Sequence, residues 1–112
     1  MGKALQIRVS AVTWNEDLPE KLWPKISELA FSVAMQHEKR GVLEMVRALD
    51  EGLRFMNWPE TLKASINDDI HKAAALKRAV EDALADWKPG LANRLSDELE
   101  NVLDRMENNI VT

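Results

Sequence analysis

Residues 66–110 decide the fold, and they read INDDIHKAAALKRAVEDALADWKPGLANRLSDELENVLDRMENNI. Placed at steps of about 100° around a helix axis, their apolar residues form two stripes, one on each side of Lys88-Pro89-Gly90. The stripes comprise Ile66, Ile70, Ala73, Val80, Leu84 and Trp87, then Leu91, Leu95, Leu99, Val102, Met106 and Ile110. Pro89 suits the first turn of a second helix, because no intrahelical acceptor awaits its missing N–H. The stretch therefore predicts two helices that fold back on each other as an antiparallel hairpin.

The second helix of this hairpin also carries a stripe of acidic residues with helical spacing. It comprises Asp97, Glu100, Asp104 and Glu107. Divalent metals bind several carboxylate oxygens together, but this stripe lies nearly opposite the apolar one. A solvated helix face is therefore the favoured interpretation.

Two polar residues, Lys77 and His37, fall on apolar stripes. Lys77 is either a desolvated amine for catalysis or anion binding, or a lysine whose stem packs while its ammonium reaches water near Glu81. His37 is either a metal ligand or proton acceptor, or a partly buried histidine with one hydrogen-bond partner. The packed, structural interpretation is favoured for both residues.

The first helix is predicted from about Leu18 to Arg40, and Pro24 is either absorbed near its start or produces a kink. Phe31 and Met35 lie on the side away from its main apolar stripe. A helix with apolar residues on two sides needs two neighbours. It therefore lies centrally in a bundle or presents Phe31 and Met35 to a second subunit.

A second helix is predicted after Gly41, with an apolar stripe that continues to Met56 unless Gly52 ends the helix early. Three tryptophans flank the predicted helix ends near prolines, namely Trp23, Trp58 and Trp87. A large ring at such a position packs between elements, so core or staple packing is favoured for each of them, whereas an exposed tryptophan cluster would instead indicate a binding surface.

The segment from Ala4 to Thr13 gives the clear strand signal, because Leu5, Ile7, Val9 and Ala11 alternate with polar residues. No other stretch reads as an equally good partner, and a lone strand leaves its backbone N–H and C=O groups unpaired. Three outcomes are open: pairing with its copy in a second subunit, addition to the sheet of a different protein, or an arm over the helices. The first is favoured, since most soluble oligomers are symmetric homodimers.

Length and composition predict one domain of 112 residues. It divides into an N-terminal strand or arm (1–14), helices one and two (17–56) and the helical hairpin (59–110). The absence of Cys excludes disulfides and thiolate metal sites, and a net charge of −4 argues against nucleic-acid binding. The amino terminus lacks the apolar core of a signal peptide, and no apolar stretch is long enough to span a bilayer. These features predict a soluble, cytoplasmic protein without a membrane partner.

The predicted fold is mainly α, a small bundle of about four helices with one N-terminal strand paired across a dimer. The predicted function is a non-catalytic protein–protein association module, acting as a homodimer and without a cofactor. Its candidate interaction surface comprises Leu5, Ile7, Val9, Ala11, Phe31 and Met35. No nucleotide-binding loop, nucleophile elbow or zinc-ligand spacing is present in the sequence.

An enzymatic alternative is a metal-dependent hydrolase of the all-helical nucleotide pyrophosphohydrolase kind. Such sites hold Mg²⁺ between clusters of acidic residues from neighbouring helices. Asp69 and Glu98 lie at the borders of their apolar stripes, where an inward carboxylate fits this chemistry. No paired Glu-x-x-Glu run is present, so the association module is favoured.

Overall fold

A computed structural model of the chain describes residues 5–7, 11–13, 18–31 and 41–110, and this part is mainly helical. The helices are α1 (Leu18–Leu22), α2 (Pro24–Phe31), α3 (Val42–Phe55), α4 (Glu60–Ala85) and α5 (Pro89–Asn109). The prediction of a mainly helical fold is therefore confirmed. The described part contains five helices, because the first predicted helix is divided in two.

The two longest helices, α4 and α5, form the predicted hairpin, with Asp86, Trp87 and Lys88 in the turn between them. Most residues of their apolar stripes are buried or half-buried, and Ile66, Ile70, Leu99 and Met106 are each inaccessible to solvent. Burial of such a stripe stabilises the fold by roughly 25 cal/mol per Å² of apolar surface. The turn end of the hairpin has its own small cluster of buried apolar residues, made by Val80, Ala83 and Ala92.

The chain between Leu18 and Phe31 forms two helices that meet at Trp23. A proline disfavours the helical conformation of the residue before it, so Pro24 ends α1 and begins α2 at the same point. The N–H of Trp23 donates to the Pro19 oxygen at 2.8 Å, and the N–H of Ser27 donates to the Trp23 oxygen at 2.9 Å. Of the two alternatives for Pro24, the kink is therefore the one observed in the described residues, and residues 32–40 lie outside them.

Helix α3 continues through Gly52 to Phe55, so this glycine does not end the helix early. Trp58, which follows the helix, is 8% exposed and belongs to the main core. A Cβ atom at position 52 would overlap the Cζ2 and Cη2 atoms of the Trp58 indole. Gly52 therefore gives the ring room to lie against the backbone of α3.

Two short strands occupy the segment predicted as one strand. β1 (Leu5–Ile7) pairs antiparallel with β2 (Ala11–Thr13), and Gln6 lies opposite Val12. β1 lies beside α5 and β2 beside α4. This corrects the prediction of one continuous strand, because pairing within the chain satisfies backbone groups that a lone strand leaves open. Pairing across a dimer stays a prediction.

Candidate functional site

In the turn between α4 and α5, α4 is followed by a residue whose backbone adopts the left-handed conformation. The N–H of Lys88 donates to the Ala83 oxygen at 2.8 Å, and the N–H of Trp87 donates to the Leu84 oxygen at 3.1 Å. This pair of hydrogen bonds is the Schellman motif, which satisfies the last carbonyls of a helix. The motif requires a positive φ at the residue after the cap, and Trp87 has a φ of 59°.

Trp87 is an unusual residue for this position. Glycine is common there because it has no Cβ, whereas another L-residue costs roughly 1–2 kcal/mol in this conformation. The Trp87 residue is also 77% exposed, so its ring gains little from packing in the chain. The prediction of core packing is confirmed for Trp23 and Trp58, which are 0% and 8% exposed, and is wrong for Trp87. A residue that is both strained and exposed is a candidate for contact with a partner.

A second exposed apolar site lies at the end of α3, where Phe55 is 80% and Met56 is 41% exposed. Met56 is followed by three residues and then by α4, whose 26 residues span about 39 Å at a rise of about 1.5 Å per residue. Trp87 follows the other end of α4, so the two exposed sites lie far apart. We refer to the Trp87 turn alone as the candidate interaction site.

The acidic stripe of α5 is buried or half-buried in the structure. Glu100 is 2% exposed, and none of Asp97, Asp104 and Glu107 is fully exposed. Oδ1 of Asp104 accepts a hydrogen bond of 2.8 Å from the Trp23 indole N–H. The prediction of a solvated face is therefore wrong, because the N-terminal helices pack on this side of α5.

Glu107 in this stripe lies at the beginning of α2. Its carboxylate accepts the backbone N–H groups of Lys25 at 3.0 Å and Ile26 at 3.1 Å. The first N–H groups of a helix have no intrahelical acceptor and carry the positive end of the helix dipole, so a carboxylate there stabilises the helix. Glu107 therefore has a structural role.

The acids that suggested a hydrolase are engaged or dispersed in the described residues. Oδ1 of Asp69 accepts from Nε of Arg105 at 3.0 Å and from its terminal nitrogen at 2.6 Å, which joins α4 to α5. In residues 5–7, 11–13, 18–31 and 41–110, no group of three His, Asp or Glu residues converges as a metal site would require. This part of the chain gives the hydrolase alternative no support.

Lys77 lies on the border of a groove between α3 and α4. Its Nζ atom is 3.1 Å from Oε1 of Glu81, and its side chain is 20% exposed. This geometry matches the interpretation in which the stem packs and the ammonium reaches Glu81. The groove is lined by Val46, Arg47, Asp50, Arg54, Ala74, Lys77 and Arg78, and we refer to it as the basic groove. Sequence reasoning singled out Lys77 alone, because the arginines come from surface positions on two helices.

The remaining predicted residues belong to other elements or lie outside the described residues. Leu5 and Ile7 lie in β1 and Ala11 lies in β2. Phe31 is half-buried and packs against the main core. Val9, Met35 and His37 lie outside the described residues.

Comparison of the chain with protein-family models, with curated proteins and with solved structures finds no match. Among the described helices, none combines the length and the apolar character that a membrane span requires.

Proposed function

We propose that this chain is a cytoplasmic, non-catalytic association module that binds protein and acts as a homodimer. The observation that carries the proposal is Trp87, which is 77% exposed and has a φ of 59°. In an isolated chain this residue carries two free-energy costs: the first is backbone strain, and the second is exposure of a large apolar ring to water. Contact with a partner removes the second cost, and tryptophan is enriched among the residues that dominate binding energy.

The N-terminal sheet supports a second version of the same proposal. The described sheet has only two strands, so each strand has a neighbour on one side alone. An edge strand offers N–H and C=O groups to a strand from another chain. Pairing of this edge with a second copy would place Leu5, Ile7 and Ala11 at a symmetric interface, as the sequence predicts.

Replacement of Trp87 by glycine tests whether this residue contacts a partner or stabilises the turn. We expect Trp87→Gly to raise the stability of the chain by about 1 kcal/mol, since glycine adopts the left-handed conformation without strain. We expect the same variant to weaken association, which light scattering on a sizing column detects. The mass should be near twice 12.7 kDa for the unchanged chain and should fall toward 12.7 kDa for the variant.

Trp87→Asn is the matched variant, because asparagine tolerates a positive φ and lacks the indole ring. Both variants should lose association together. An unchanged mass in both would remove Trp87 from the interface. A clean monomer for the unchanged chain at all accessible concentrations would overturn the homodimer.

Removal of residues 1–13 tests the strand version separately. If the sheet edge is the contact, this deletion lowers the mass toward that of one chain while circular dichroism still reports the helices. β1 and β2 lie beside α5 and α4, so the far-ultraviolet spectrum and the melting temperature must be recorded with the mass. An unchanged dimer mass would exclude the sheet edge as the contact.

A further inference from the structure

The basic groove brings together charged side chains from two helices of an otherwise acidic chain. α3 contributes Arg47, Asp50 and Arg54, and α4 contributes Lys77 and Arg78. Its apolar wall includes Val46 and Ala74, which are 0% and 8% exposed. The net charge of the whole chain is −4, so the local excess of cations is opposite in sign to the chain as a whole.

Three of the four cations in the groove, Arg47, Arg54 and Lys77, already interact with other residues of the chain. A terminal guanidinium nitrogen of Arg54 is 3.2 Å from Oδ2 of Asp50, and Nζ of Lys77 is 3.1 Å from Oε1 of Glu81. Arg47 is 4.0 Å from Glu51, and both of these side chains are about half exposed, so solvent screens this pair strongly. Among the residues that line the groove, four are cations and one, Asp50, is a carboxylate.

Arg78 has no ion-pair or hydrogen-bond partner among the residues that the structure describes. Its guanidinium carries five N–H donors in a planar fork that matches two oxygens of a phosphate or carboxylate group. Lys77 precedes it in the chain and adds three donors at the same border of the groove. An anion in the groove therefore meets the Arg78 guanidinium, whose donors no acceptor of the described residues occupies.

The size of the groove limits its ligand. Its volume is about 170 Å³, which is well above the space for one water molecule and below the roughly 300–1,000 Å³ of sites that enclose drug-sized ligands. One phosphate group with a small part of its parent molecule fits this range. A whole dinucleotide or a protein segment does not.

We propose that the basic groove between α3 and α4 binds the phosphate group of a small phosphorylated molecule. A phosphate monoester carries about −1.5 to −2 charges at neutral pH, which complements an excess of positive charge better than a single carboxylate does. Arg78 and Lys77 hold the phosphate oxygens from α4, and Arg47 and Arg54 face it from α3. Asp50 keeps Arg54 in the groove, and its carboxylate accepts a hydrogen bond from a hydroxyl group of the ligand. This site is independent of the proposed association through Trp87.

Titration calorimetry with ribose 5-phosphate tests the site, with inorganic phosphate as the minimal probe. We expect a Kd of about 1 mM or tighter for ribose 5-phosphate and weaker binding of inorganic phosphate, which lacks the group that meets Asp50. Arg78→Gln should weaken binding by about tenfold, because it removes one charge-assisted interaction. Arg94→Gln is the matched control, since Arg94 is an exposed arginine of α5 that does not line the groove.

Three results would overturn the assignment. The first is no heat of binding for either probe at a concentration of about ten times the expected Kd. The second is equal weakening by Arg78→Gln and Arg94→Gln, which would indicate attraction to overall charge. The third is equal affinity for ribose 5-phosphate, sulfate and acetate, which would exclude recognition of phosphate. Arg78→Gln should leave the helical spectrum and the mass unchanged, so a loss of binding there is not a loss of fold or of association.

Discussion

Gly52→Ala is expected to destabilise the protein by about 2–4 kcal/mol, although alanine is the better helix former by about 1 kcal/mol. The new methyl group would overlap the Cζ2 and Cη2 atoms of Trp58. The Trp58 ring is rigid and only 8% exposed, so it escapes the overlap only by leaving the core or by pushing α3 away. Chemical denaturation followed by tryptophan fluorescence and by circular dichroism measures the change in free energy.

Gly90→Ala is the matched control for this prediction. Gly90 lies in the first turn of α5, and a Cβ atom there meets nothing within 4 Å. Alanine at this position should therefore leave stability unchanged or raise it by up to about 1 kcal/mol. The same substitution is thus expected to destabilise the protein at Gly52 but not at Gly90, and the difference comes from one neighbouring ring.

A double-mutant cycle with Trp58→Phe identifies that ring as the cause. The overlapping atoms belong to the six-membered ring of the indole, which phenylalanine places closer to its own backbone. In the Trp58→Phe background, Gly52→Ala should cost less by about 1–3 kcal/mol. Additive effects of the two substitutions would show that the cost of Gly52→Ala arises elsewhere in α3.

The hairpin of α4 and α5 was predictable because its information is local. Apolar residues such as Ile66, Ile70, Leu99 and Met106 repeat at helical spacing, and each spacing involves neighbours within one or two turns. Pro89 marked the beginning of α5 correctly. The same periodic rule failed at Trp87, where it extended the stripe past the last helical residue into a turn with a different backbone direction.

The contacts of the acidic stripe were not predictable from the hairpin alone. Asp104 bonds Trp23 across a separation of 81 residues, and Glu107 bonds Lys25 across 82. A helical wheel places these acids opposite the apolar stripe, and it cannot reveal that another element covers that side. The signal in the sequence was indirect. Trp23 directly precedes Pro24, so the helix is interrupted there, and the first N–H groups of the next helix need acceptors.

The basic groove was missed for a related reason. Its cations come from α3 and α4, and each helix alone presents them as ordinary surface residues. Lys77 attracted attention because it falls on an apolar stripe, whereas Arg47, Arg54 and Arg78 follow no apolar pattern. The relative position of two packed helices determines which surface charges meet, and spacing within one helix does not contain it.

Asp104→Ala is expected to destabilise the protein by about 2–3 kcal/mol. The Trp23 side chain is inaccessible to solvent, and its indole N–H donates to Oδ1 of Asp104 at 2.8 Å. Alanine removes the charged acceptor and leaves this buried donor without its bond, which costs more than the bond itself contributes. Urea denaturation monitored by circular dichroism gives the change. The matched control is Glu98→Ala, an exposed acid on the same helix, which should change stability by no more than about 0.5 kcal/mol.

Asp104→Asn distinguishes the hydrogen bond from the charge, because its amide oxygen still accepts from the indole. If the bond to Trp23 is the main contribution, the asparagine variant should lose less than half of what the alanine variant loses. Trp23→Phe removes the donor from the other side, and in that background Asp104→Ala should cost less by about 1–2 kcal/mol. Two results together would contradict this: equal losses of unfolding free energy for alanine and asparagine, and an undiminished cost of Asp104→Ala in the Trp23→Phe background. They would show that Asp104 acts through its charge and that its hydrogen bond to Trp23 contributes little. The predicted coupling therefore measures how firmly the α1–α2 segment is held to the hairpin.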